Sequence, residues 1–175
     1  MREKLAELKR LSENVCVYSD DCNKFNYGRL LAVNDYDFAM LMYSPSGKYD
    51  GIIVRQIDDI TRIEYGGQYE EKMQKLIDTD IDPESISLDT ENIAVSLLKL
   101  AFEQEKIVAV ELLDSGFENA VGFVEEISDS GCVIALVDEY GYQDGHCFFL
   151  INDITQILRD TEEEQQILRL WKMTK

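Results

Sequence analysis

At 175 residues, with 45% hydrophobic composition, ten Gly and two Pro, the chain is sized for one mid-sized domain or two small ones and is too apolar for wholesale disorder. Its 35 acids against 17 bases give a net charge of −18. That balance sets most of the surface against polyanions, because nucleic-acid affinity rests on Lys and Arg neutralising phosphates. No apolar run approaches the roughly 20 residues that span a bilayer, and the first residues lack the apolar core of a secretory signal. A cytoplasmic location, with no membrane partner, is the expectation.

In chain order, "MREKLAELKRLSEN" reads as an amphipathic helix. Strands are expected at about 14–19, 26–34, 38–44, 51–57 and 60–65, where Val, Ile, Phe and Tyr gather between Asp, Gly and Ser. "GKYDG" predicts a hairpin turn, since Asp-Gly readily takes positive φ. "DDIT" predicts a single turn in which an Asp bonds the following amides, and "EEKMQKLI" a helix. The segment 78–92 carries six acids and no base and reads as a linker in which Asp89 caps the next helix. "TENIAVSLLKLAFEQE" predicts a helix apolar around much of its girth, with Ile93, Leu97, Leu100 and Ala101 on one stripe widened by Val95, Leu98 and Phe102; burial on two sides, between the modules, is expected. Strands follow at about 107–113, 120–128, 132–138, 146–152 and 154–159, with "GYQDG" and "NDIT" in the same roles, and "EEEQQILRLW" is a last helix.

The parallel is an internal repeat. Shifted by 94, Gly28, Asp35, Gly47, Asp50, Gly51, Ile57, Asp59, Ile60, Thr61, Ile63, Glu70 and Leu76 coincide with Gly122, Asp129, Gly141, Asp144, Gly145, Ile151, Asp153, Ile154, Thr155, Ile157, Glu164 and Leu170, without a gap. A duplicated module follows, organised as residues 1–77, an acidic linker 78–92, and residues 93–175. The shared residues are turn formers and core positions, so a functional site belongs where the copies differ. Charge is one such difference: residues 1–77 hold 11 bases against 13 acids, residues 93–175 hold 6 against 16.

A helix, five short strands, a Gly in the second, an acidic turn after it, an apolar third strand and a short fifth resemble the Sm-like small β-barrel of SH3 type, twice over. The resemblance implies a mainly β fold of two tandem five-stranded barrels with flanking helices. The "DG-apolar-DDIT-I" phrase is also similar to one in uncharacterised bacterial proteins, and no activity comes with it. The Sm-like resemblance further implies RNA binding through an Asn after the second-strand turn and an Arg-Gly pair after the fourth strand. Here those regions read Asp37-Phe38-Ala39-Met40 and Val54-Arg55-Gln56-Ile57, then Gly131-Cys132-Val133-Ile134 and Phe148-Phe149-Leu150-Ile151. Only Arg55 is a remnant, so RNA binding is not the leading expectation.

Module one holds seven of the nine tyrosines, and Tyr27 and Tyr49 with Arg29, Arg55 and Arg62 are its candidates for stacking bases between cations; strand propensity explains the same tyrosines. Asp78, Asp80, Asp82 and Asp89 have the spacing of a calcium loop, but Pro83 stands where the turn needs Gly and Asp89 is shorter than the usual Glu, so no metal is expected. Cys16, Cys22, Cys132 and Cys147 form no CxxC pair; free thiols fit a reducing compartment, with Cys132 and Cys147 filling core. His146, the single histidine, neighbours Cys147 and points to the opposite face of a strand, which argues against a shared ion. No catalytic motif is present and no cofactor is implied. The reading is a non-catalytic binding or adaptor protein whose acidic second module, with Glu162, Glu163 and Glu164 among its excess acids, meets a basic protein surface. A nucleic-acid-associated protein using module one is the alternative, and an enzyme the third reading. The oligomeric state is open.

Overall fold

The computed structural model describes residues 1–19, 24–116 and 119–175. These divide into two compact units, Met1–Ile93 and Ala94–Lys175. Unit one runs α1 (Arg2–Arg10), β1 (Asn14–Ser19), β2 (Phe25–Val33), β3 (Asp37–Tyr43), β4 (Tyr49–Gln56), β5 (Ile60–Tyr65) and α2 (Gln68–Leu76). The second set runs α3 (Ile93–Glu103), β6 (Ile107–Leu112), β7 (Ala120–Ile127), β8 (Gly131–Val137), β9 (Gln143–Leu150), β10 (Ile154–Arg159) and α4 (Glu162–Met173). The protein is thus mainly β with flanking helices, and every described strand pairing within a unit is antiparallel. Within unit one the strands lie in the order β5-β1-β2-β3-β4, and within unit two β10-β6-β7-β8-β9. Among the described residues no pairing joins β4 to β5 or β9 to β10, so the strands of neither unit close into the ring that the word barrel implies.

The strands follow from the apolar runs that predicted them, and β3 shows why they hold. Phe38, Ala39, Met40 and Leu41 are wholly buried, so this strand carries core on both faces, and removing a side chain such as Phe38 from water is worth about 2–3 kcal/mol. Close packing also explains the glycine of β2. A Cβ on Gly28 would lie 1.9 Å from the carbonyl oxygen of Leu41, and one on Gly122 2.0 Å from that of Ala135.

Two local readings are corrected. The β3–β4 turn is closed by residues 44–48, where the Ser44 N–H donates to the Lys48 carbonyl at 2.8 Å. Asp50-Gly51 lies inside β4 as a bulge: pairing shifts between Leu41↔Ile52 and Tyr43↔Tyr49, and Gly51 takes φ 84. Unit two repeats this at Asp144-Gly145. The "DDIT" and "NDIT" turns exist as single 3-10 turns at Ile57–Asp59 and Ile151–Asp153, without a side-chain cap; Asp59 instead accepts from Arg55 Nε at 3.3 Å.

The repeat offset is 94 from Gly28 onward and 93 before it. Gly28 faces Val15, whereas Gly122 faces Val108, so one extra residue separates β6 from β7. With that offset the leading helices correspond as well. Both end on a left-handed non-glycine residue, Ser12 (φ 54) and Glu105 (φ 50), and both close with the next N–H donating five residues back, Glu13 to Leu8 and Lys106 to Ala101. On α1, Leu5 and Leu8 form the buried stripe and the helix packs on β2. On α3, Ile93, Val95, Leu97, Leu98 and Ala101 are buried, but Phe102 is 51% exposed, so the apolar girth expected of this helix does not extend to its last turn.

Candidate functional site

Following the copies to where they differ leads to β9. It is the terminal strand of its unit's order, and among the described residues it pairs with β8 alone. A strand so placed offers one row of backbone N–H and C=O groups to an added strand. Its side chains alternate: Phe149 is 5% exposed, while Phe148 and Leu150 are 68% and 50% exposed. At the matching position of β4, Val54 is 2% exposed. The Phe148 ring lies against the backbone of β8, since a Cβ at Gly131 would come within 2.8 Å of it, and its other side is open. Acids surround this face. Glu126 shares the cross-strand row of Val133 and Phe148, Asp144 is exposed at the bulge, and Glu125 sits 3.3 Å from His146 Nε2. Free backbone groups, two exposed apolar side chains and an acidic rim suit an extended segment that is itself basic.

Neither Phe148 nor Leu150 stands out from sequence periodicity, because "CFFLI", residues 147–151, is apolar without alternation and reads as core. The signal that singles them out is the substitution of Val54 and Gln56 by Phe and Leu between copies, an increase in apolar bulk on an end strand.

The acids nominated on α4 part company. Glu162 and Glu163 are exposed, but Glu164 is 3% exposed and its Oε2 accepts the Thr161 N–H at 2.8 Å. It closes the helix N-terminus, as Glu70 does for α2 by accepting from the Gly67 N–H at 2.9 Å. Burial pushes the Glu164 carboxyl above the usual carboxylate range. Only Glu162 and Glu163 are surface charges. Glu118 and Cys22 lie outside the described residues.

In unit one, Tyr27 is buried (2%) inside an aromatic cluster with Tyr43 and Tyr69, its ring centroid 6.0 and 5.8 Å from theirs. Tyr49 is half-buried at the start of β4. Arg29 donates to Asn14 Oδ1 at 2.7 Å and approaches Glu84 at 3.9 Å. Arg55 pairs with Asp59 and Arg62 with Glu64 at 3.1 Å, and the Arg62 guanidinium covers the Tyr18 ring at 3.9 Å. These five residues form no common open face: one ring is core, and each guanidinium is already engaged.

The four aspartates of the linker also diverge. Asp78 bonds Lys48 Nζ at 2.7 Å, which holds its carboxyl below the usual range. Asp82 accepts the Glu84 N–H at 3.0 Å, and Asp89 accepts that of Glu91 at 2.9 Å, two residues along and short of α3. Asp80 is exposed. Among the described residues no group of three or more His, Cys, Asp or Glu side chains is arranged to hold a metal ion. Cys16 and Cys132 are buried, whereas Cys147 is half-exposed. The Cys16 thiol donates to Glu70 Oε1 at 3.0 Å.

No family model and no curated protein matches this chain. Two solved structures align along it. One is MrkH, described as a c-di-GMP-dependent transcription regulatory factor, at 9% identity, 99% of this chain, 87% of the other and a TM-score of 0.21. The second is MrkH of K. pneumonia in its apo state, at 13% identity, 98% and 91% coverage and a TM-score of 0.18. Likenesses this slight carry no argument about fold or activity. Among the described residues no helix is long and apolar enough to cross a membrane.

Proposed function

We propose that the protein is a non-catalytic adaptor built of two tandem Sm-like modules, and that the second module recruits a basic protein segment by adding it as a strand to β9. The exposure of Phe148 and Leu150 on an end strand is the observation that carries this reading. The Sm-like part draws support from the shared order of each sheet, the helix before the first strand, the close-packed glycine of the second and the single 3-10 turn before the fifth. An added strand gains affinity from main-chain hydrogen bonds and specificity from alternate side chains. The acidic rim speeds encounter with a basic partner more than it tightens the final complex.

The test is quantitative capture from the source cells with the wild-type protein and with the Phe148→Ser/Leu150→Ser double variant. Both side chains are exposed, so the variant keeps its fold, checked by circular dichroism. A basic protein enriched by the wild type and lost from the variant is the expected result. A partner set unchanged by the double substitution rejects the β9 site. A β9-dependent partner that proves to be a second copy of the chain makes the edge a self-assembly surface and rejects the adaptor reading.

A further inference from the structure

Unit two carries a recess of about 360 Å3 whose walls include Phe102, Phe123 and Trp171. Phe123 and Trp171 are in contact, with ring centroids 5.3 Å apart. Among the described residues, two charged side chains line this recess, Glu125 and Lys175. The Lys175 ammonium stands 4.0 Å from the Trp171 ring centroid, inside the range at which a cation is held by the negative face of an indole. Take Lys175 away and what remains is an aromatic and aliphatic recess with one carboxylate on its rim. That is the composition that receives a cation. Lys106 and Lys172 line the adjoining groove rather than this recess, and Lys106 is held by Asp160 at 3.1 Å.

We propose that the Trp171 recess is a seat for a lysine or arginine side chain of the partner, and that Lys175 is its resident competitor. The seat rests on the reading that unit two receives a basic partner, and deepens it by naming where one basic side chain goes. Glu125 neutralises the incoming charge, Trp171 and Phe123 receive its face, and Phe102, left exposed at the end of α3, covers its aliphatic stem. Lys175 holds the seat while the partner is absent, so it taxes binding by the fraction of time it is bound.

Trp171 is the single tryptophan of the chain, so intrinsic fluorescence reports on this recess directly. N-acetylarginine amide is titrated at constant ionic strength into the wild-type 175-residue chain, Lys175→Gln and Glu125→Gln, with N-acetylcitrulline amide as the neutral isostere. Lys175 and Glu125 are both exposed, so neither substitution threatens folding. The expected result is saturable binding of the arginine compound, roughly fivefold tighter in Lys175→Gln as the competitor is removed, weakened in Glu125→Gln, and absent for citrulline. Equal responses to arginine and citrulline, no gain in Lys175→Gln, no loss in Glu125→Gln, or no saturable signal in any form overturns the proposal. The titration uses no partner, so its failure strikes this seat alone, while capture that ignores Phe148 and Leu150 strikes the β9 reading alone.

Discussion

Replacing Gly28 or Gly122 by Ala is the sharpest test of how the sheets are bent. The added Cβ meets a backbone carbonyl oxygen at 1.9 Å in β3 and 2.0 Å in β8, whereas carbon and carbonyl oxygen settle near 3.3 Å. The two strands must therefore separate by about 1.3 Å, a quarter of the ~4.8 Å that normally divides neighbours. Backbone is what must move, so no side-chain rotamer relieves the clash. Losing about two ladder hydrogen bonds at ~1 kcal/mol each, with ~1–2 kcal/mol for disturbing the close-packed core behind them, gives a loss of about 3–4 kcal/mol. In urea denaturation followed by circular dichroism, that moves the midpoint by about 1 M or more for an m-value near 2–3 kcal/mol/M. Gly66→Ala is the control: its φ of +69 is left-handed, yet nothing lies within 4 Å of the added carbon, so only the conformational cost of about 1 kcal/mol applies. Losses at Gly28 and Gly122 no larger than that of Gly66→Ala would refute the reasoning.

Thiol chemistry should single out Cys147 among the described cysteines. Burial, helped by the Glu70 carboxylate, lifts the Cys16 thiol far above its ordinary range, and burial with Cys147 nearby pushes Cys132 up to about 12. The latter leaves on the order of 1,000-fold less thiolate than an ordinary cysteine, so peptide-resolved maleimide labelling at neutral pH should reach Cys147 first; early labelling of Cys132 contradicts its placement. The raised carboxyl of Glu164 means the folded chain holds that proton more tightly than the unfolded one, so stability falls as pH rises from the ordinary carboxylate range through the raised value. Glu164→Gln keeps an acceptor for the Thr161 N–H and should flatten that fall in Tm against pH, while a slope equal to wild type rejects the assignment. With Arg29, Arg55 and Arg62 all engaged, fluorescence anisotropy should show no micromolar binding of single-stranded RNA at physiological salt; tight binding abolished by Arg55→Ala would favour the nucleic-acid reading. Replacing Glu162 and Glu163 by Gln should slow association with a basic partner and leave dissociation nearly unchanged, and an effect confined to the off-rate contradicts steering.

The strands were legible because this sequence punctuates them: apolar runs ended by Asp, Gly and Ser mark all ten to within three residues. Individual roles were less so. Asp-Gly signals positive φ but not where it is spent, and here Gly47 and Gly141 close the turns while Gly51 and Gly145 make bulges. The shift of offset to 93 falls before Gly28, where few identities mark the register, so the helix correspondence needed the matched helix ends at Ser12 and Glu105. Glu164 reads as one of three surface acids until the capping geometry turns it inward. Phe148 and Phe149 look alike in sequence, and only the pairing with β8 decides which one faces out.

Amide hydrogen exchange of the protein, free and bound to the partner captured through Phe148 and Leu150, bears most directly on strand addition at β9. The account predicts that amides within residues 143–150 slow on binding, because the outward N–H groups of β9 gain carbonyl acceptors from the added strand. Slowing confined to other segments, with residues 143–150 exchanging as in the free protein, would contradict it.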